Sequence, residues 1–151
     1  MSRVVVNEIQ AKVGNDISFN DAAKIDTLKG KTTAGSILIT GEGNSTTTNL
    51  QQGLIKFWLN LDGQSTISTR DSFNINGVVD EGEGQYTPSY TNNMGNANYS
   101  MGCNTDYDGV EFSINCKIIA TSSHKIQTVD ADMSSYHDHD IVMVNGMGDL
   151  A

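Results

Sequence analysis

The chain has 151 residues, one proline, 15 glycines and 18% charged residues, and it lacks the Ala-, Leu-, Glu- and Lys-rich runs that build helices. Its formal charge of −9 argues against nucleic-acid binding, because an acidic surface repels phosphate. No apolar stretch approaches the roughly 20 residues needed to cross a bilayer, and Met1-Ser2-Arg3-Val4 lacks the apolar block of a signal peptide. The expectation is a soluble β protein, made in a cytoplasm and not inserted in a membrane.

Residues 1–53 hold short apolar runs, Val4-Val5-Val6 and Ser36-Ile37-Leu38-Ile39-Thr40, separated by polar and glycine-bearing links. Phe19 is the only aromatic before Phe57, so this part could hardly bury enough surface to be stable alone. It is predicted to be a β-rich arm that anchors or oligomerises by packing on a partner. Docking of a few strands on the chain's own second part is the alternative. Residues 1–56 carry six Lys/Arg against five Asp/Glu, whereas residues 57–151 carry three against thirteen. The acid excess therefore belongs to the second part, 54–151.

There the strand signal is regular. Ile55, Phe57, Leu59 and Leu61 share one face, with Lys56, Trp58 and Asn60 on the other. Asp62-Gly63 supplies turn chemistry. Phe73, Ile75 and Val79 alternate with Ser72, Asn74 and Asn76, and Asp80-Glu81-Gly82-Glu83-Gly84 reads as an exposed acidic turn. Tyr86, Pro88 and Tyr90 share a face on a strand that the proline assigns to a sheet edge or a bulge. Val110–Ala120 is the longest predicted strand, paired with Tyr99–Thr105 through the Asp106–Gly109 turn. Lys125–Val129 follows. Ile141–Val144 is apolar on both faces, hence central or covered by another subunit. Strands at this spacing predict an antiparallel β-sandwich, jelly-roll-like, over 54–151.

No motif for catalysis is present: there is no Gly-x-Ser-x-Gly elbow, P-loop or dinucleotide fingerprint. A Cys103 or Cys116 nucleophile with His124 as base is conceivable, but both cysteines sit within ordinary apolar alternation. The two are expected to be buried free thiols in a reducing cytoplasm, although they could face each other across a hairpin. Trp58 is expected to pack against a neighbouring sheet or subunit, with sugar stacking as the alternative. An enzyme is not expected, and neither a catalytic nor a cofactor-binding residue is assigned.

From Lys56 to Tyr99 several elements occur in order: Lys56-x-Trp58-x-x-Leu61-Asp62-Gly63, Ser72-Phe73-Asn74, Val79-Asp80-Glu81-Gly82-Glu83-Gly84-x-Tyr86, then Tyr90, Met94 and Ala97-Asn98-Tyr99. This resembles a small β domain at the C-terminal end of many phage and prophage tail-fibre proteins, including those of marine phages. The resemblance covers about 95 residues, from the mid-fifties onward, and weakens after Tyr107. It implies a structural virion protein on the tail or particle surface, homotrimeric, in contact with other tail or capsid proteins. A host surface glycan or protein would be its target, and attachment to it the role. Fibres of this kind usually carry long stems, whereas only about 53 residues precede the domain here. A capsid decoration, cement or head-fibre protein is therefore the alternative. Fibres of this type also hold metal through His-x-His, and His137 and His139 would point the same way in a strand. Three chains around an axis would then offer six imidazoles to a divalent transition ion. The other reading of Tyr136-His137-Asp138-His139-Asp140 is a solvated lead-in to the last strand.

Overall fold

The structure, a computed structural model, describes residues 25–30, 33, 36–41, 43, 45–106, 113–130, 132 and 134–151. In the arm, β1 (Leu38–Thr40) and β2 (Thr47–Asn49) form a two-stranded antiparallel sheet of their own. A single turn of helix, α1 (Leu50–Gly53), follows it. The Asn49 side chain caps this turn by accepting from the amides of Gln51 and Gln52, donors that a helix start leaves unpaired.

The second part is an antiparallel β-sandwich, as expected. One sheet has the order β4 (Ser68–Phe73), β3 (Ile55–Asp62), β10 (Ile141–Met147), β7 (Ser100–Asp106). The other runs β5 (Ile75–Gly82), β6 (Gln85–Tyr90), β9 (His124–Val129), β8 (Ser113–Ile118). Two sheets of four strands match the strand count of a jelly roll. Three pairs, β3–β4, β5–β6 and β8–β9, are hairpins that stay within a sheet. Strand β10 lies between β3 and β7, the central place that its two apolar faces predict.

The core follows from alternation. Phe57, Leu59 and Leu61 of β3 face Tyr86, Tyr90 and Ile126 of the opposing sheet, with Val142 and Val144 beside them, all buried. Each such side chain stabilises by about 1.5–3 kcal/mol relative to exposure. The Phe57 ring lies against the backbone of Gly146, where a Cβ would come within 2.1 Å of it. No other residue fits at that position.

Four expectations need correction, each for a local reason. Ser72 to Val79 is not one strand: Asn74 adopts φ 58°, and there the chain leaves the first sheet for the second. A bulge between Ile75 and Gly77 then reverses the parity of β5, so Val78 packs on the core and Val79 is exposed. A second irregularity, at Gly146/Met147 opposite Ile55, turns Ile55 outward and leaves Lys56 only 4% exposed. Lys56 therefore does not share the outer face with Trp58 and Asn60.

Pro88 does not mark an edge, because β6 is interior. The proline falls where the β6–β9 ladder lapses, between the Tyr86↔Ile126 pair and the Ser89↔Ser123 bridge, so its missing donor costs no ladder bond. Strands β7 and β8 do not pair with each other. They lie in opposite sheets, β7 against β10 and β8 against β9. Val110–Phe112 and most of the predicted Asp106–Gly109 turn lie outside the described residues.

Candidate interaction surface

The register places every β3, β6, β7, β9 and β10 terminus at one of two ends of the sandwich. At the arm end stand Ile55, Ser100 and Met147. Beneath them Phe57, Tyr90, Tyr99 and His124 form an aromatic cluster, Phe57 stacking on Tyr90 at 4.6 Å and on His124 at 5.1 Å. A polar chain threads the cluster. With the proton on His124 Nδ1, that nitrogen donates to Tyr90 Oη (2.8 Å), Tyr90 donates to Tyr99 (3.1 Å), and Tyr99 donates to the Ala120 carbonyl (3.1 Å). Burial lowers the His124 pKa to about 4 and raises those of Tyr90 and Tyr99. His124 is therefore a neutral core residue, and neither Cys103 nor Cys116 has it as a hydrogen-bonded base. That agrees with leaving the conceivable Cys–His pair unassigned.

The arm is joined to this end by Lys56. Its ammonium donates to the carbonyls of Leu54 (2.8 Å) and Gln51, and Gln52 donates to the Asp149 carboxylate. Burial lowers the Lys56 pKa, with Asp149 opposing the shift. Between arm and sandwich lies an open groove of about 420 Å³, lined by Leu28, Ile37, Leu50, Gln51, Leu54, Ile55, Lys56, Phe73 and Leu150. Around it large apolar side chains face solvent: Leu28 is 57% exposed, Leu54 53%, Phe73 52% and Ile55 48%. Leu38 and Ile39 of β1 are exposed as well. Val79, Ile119, Tyr136 and Met143 are exposed elsewhere, but the apolar residues at the groove line one contiguous surface, which is the mark of an interface. Residues 1–53 were expected to pack on a partner as an arm, but Leu28, Ile37 and Leu50 were not singled out within it as site residues. The readable signal was the apolar run resuming at Leu54-Ile55 directly after the Asn49 cap.

The opposite end is polar and self-contained. Asp138 accepts from the Gly84 amide (2.6 Å) and from the Tyr86 hydroxyl (2.9 Å) through one carboxylate oxygen. Thr128 donates to the His137 carbonyl (2.6 Å) and receives the His137 amide at its own carbonyl (3.1 Å). Gly63 donates to the His139 carbonyl (2.9 Å). Burial, and then Asp138, raises the Tyr86 pKa strongly. Gly84 must be glycine, because its φ is +63° and a Cβ would meet the Thr128 carbonyl at 2.5 Å. The segment His137–Asp140 is thus a strap across the end of both sheets, neither a strand nor a merely solvated lead-in.

That placement bears on His137 and His139 as expected metal ligands. His139 is fully buried, and its Nδ1 lies 2.7 Å from the Thr105 hydroxyl. The rings of His137 and His139 are 5.8 Å apart and tilted. An ion on a trimer axis needs both imidazoles at the chain's surface, and His139 is enclosed by its own chain. Burial, then His137, lowers the His139 pKa. Among the described residues no three His, Cys, Asp or Glu side chains converge to hold a metal. The pair does not fit the ion.

The turns at this end carry the acid. Asp62, Asp80, Glu81, Glu83, Asp106, Asp130, Asp132, Asp138 and Asp140 lie there, and Arg70 at the near end of β4 is bound to Asp62 at 2.8 Å. Trp58 lies half-buried on the outer face of its sheet, opposite Phe73 on β4 and Asn145 on β10. Among the described residues, the opposing four-stranded sheet lies on the other, core side of this one. Cys103 is exposed rather than buried, Cys116 is half-buried, and both are free thiols. No family model matches the chain, and no curated protein or solved structure matches it either.

Proposed function

We propose that the chain is a non-enzymatic structural protein of a bacteriophage particle, a short tail-fibre-like module that docks by its arm end and presents its acidic end outward. The observation that supports this reading is the polarity of the sandwich. Exposed Leu54, Ile55 and Phe73 ring a groove at one end, and carboxylate turns occupy the other. The apolar end suits burial against copies of the same chain and against the particle, whereas like charges keep the other end hydrated. The ordered elements from Lys56 to Tyr99, similar to those of tail-fibre domains, give the same answer. Self-association into a trimer would multiply weak contacts with a host surface, so attachment needs no chemistry.

Ile55→Glu and Phe73→Glu in the full chain test the reading. Both positions are about half exposed, so the fold should persist with an unchanged unfolding midpoint. The expected result is a trimer that becomes a monomer in sedimentation, and particles that lose the protein and adsorb poorly. Normal association and incorporation of the double variant would sink the proposal. Particles that adsorb normally while their heads leak would instead assign the chain to capsid decoration.

A further inference from the structure

Strands β7 and β8 are edge strands of the two opposing sheets, and each carries one of the chain's two cysteines. The ladders fix which way these point. Cys103 stands opposite Val144, and Cys116 stands opposite Ile126. Val144 and Ile126 are core residues, and directly opposed residues of an antiparallel pair share one face. Both thiols therefore project into the space between the sheets, along the side where β7 and β8 lie against each other. Burial first, and then the neighbouring Cys103, raises the pKa of the Cys116 thiol. Cys103 is open to solvent, while Cys116 packs on the core.

We propose that Cys103 and Cys116 are a disulfide-forming pair that ties the two sheets together when the chain meets a low-molecular-weight disulfide oxidant. The exposed member reacts first. The Cys103 thiolate attacks one sulfur of the oxidant, whose S–S bond breaks to release one thiolate and leave a mixed disulfide on Cys103. Cys116 then gives its proton to solvent and attacks the Cys103 sulfur. The Cys103–Cys116 bond forms, the mixed disulfide breaks, and the second small thiolate leaves and takes up a proton. Two protein thiols are oxidised and one small disulfide is reduced to two thiols. The step asks little of the fold, because edge strands are held from one side only and can close the remaining distance. Its effect is to remove loop freedom from the unfolded chain and to stop the two sheets from parting at this side.

Purified full-length chain is incubated in glutathione buffers stepped from reducing to oxidising, and its thiols, mass and unfolding midpoint are followed. The expected product has lost both thiols, carries no glutathione, shows no bond between chains, and unfolds about 10 °C higher until reductant is added. Cys116→Ser should stop at a glutathione adduct on Cys103, and Cys103→Ser should react at least tenfold more slowly than wild type. A wild-type chain that keeps both thiols, or stops at a glutathione adduct, or cross-links only between chains would overturn the pairing. An internal bond that leaves the midpoint unchanged or lower would overturn the tie between the sheets. The wild-type measurements decide the matter even where a serine variant fails to fold.

Discussion

At the arm end of the sandwich Leu54, Ile55 and Phe73 stand about half exposed around a groove, while the aromatic cluster directly below them is closed to water. At the far end the order is reversed: carboxylates face solvent, and below them lies a network of hydrogen bonds through Gly63, Gly84, Tyr86, Thr128 and Asp138. One end is held by apolar contact and leaves apolar surface over. The other is held by polar contacts between the strap and the two sheets. The difference teaches where stability and assembly should part company. Damage to the cluster should unfold the whole domain, damage to the strap should loosen one end, and changes around the groove should spare folding altogether.

The largest effect is expected from the cluster. Phe57→Ala removes a ring that touches Tyr90, Tyr99 and His124, and should cost about 4 kcal/mol. Chemical denaturation read by far-ultraviolet circular dichroism checks this. A loss below about 1 kcal/mol would mean that the cluster is not the keystone of the fold.

Acid should strike the same end next. His124 titrates near pH 4 in the folded chain and near 6.5 when unfolded. Between those values the unfolded chain holds a proton that the folded one refuses. The contribution is therefore complete above pH 6.5 and is lost as the pH falls toward 4, by about 3 kcal/mol. The groups around the ring, Tyr90 and Tyr99, stay protonated throughout this window. The thiol of Cys116 behind them does too. In His124→Leu the carboxylates still titrate, but this slope should be missing from the variant and appear alone in the wild-type-minus-variant difference. An unchanged slope would show that another group carries the acid sensitivity.

Much of the architecture was legible because it rests on alternation. Phe57, Leu59, Leu61, Tyr86 and Tyr90 announce their shared faces by a period of two, and β10 announces its central place by being apolar on both sides. What was not legible depends on single-residue irregularities. The bulge after Ile75 exchanges Val78 for Val79, and the irregularity at Gly146 exchanges Lys56 for Ile55, with no residue type that demands either. Pairing across the sandwich was hidden as well. Tyr99–Thr105 and Val110–Ala120 look like a hairpin because they are neighbours in sequence, whereas their best partners, β10 and β9, lie farther along. The motif residues themselves turned out to be structural. Lys56 holds the arm, Asn74 bridges Lys56 and Asn92, and Tyr86 and Gly84 meet the strap. Such a motif speaks to fold before it speaks to role. His137 and His139 looked exposed for the same reason that they are not: a run of His and Asp suggests solvent until its partners are known.

The smallest of these effects tests whether the strap is a local device. Asp138→Ala leaves the Gly84 amide without its acceptor and leaves Tyr86 with only the Gly63 carbonyl at 3.2 Å. One charge-assisted bond and one buried donor together predict a loss of about 2 kcal/mol. Asp138→Asn keeps an acceptor oxygen in place and should lose less than half as much. Amide exchange separates a local loss from a global one. The Gly84 and Thr128 amides should exchange faster in Asp138→Ala, whereas Met94 and Gly95 at the arm end, bonded to Thr121 and Asp149, should keep their protection up to the global limit. Equal loss at both ends would mean that the sandwich opens as one unit, and the contrast between its ends would then be one of surface chemistry alone.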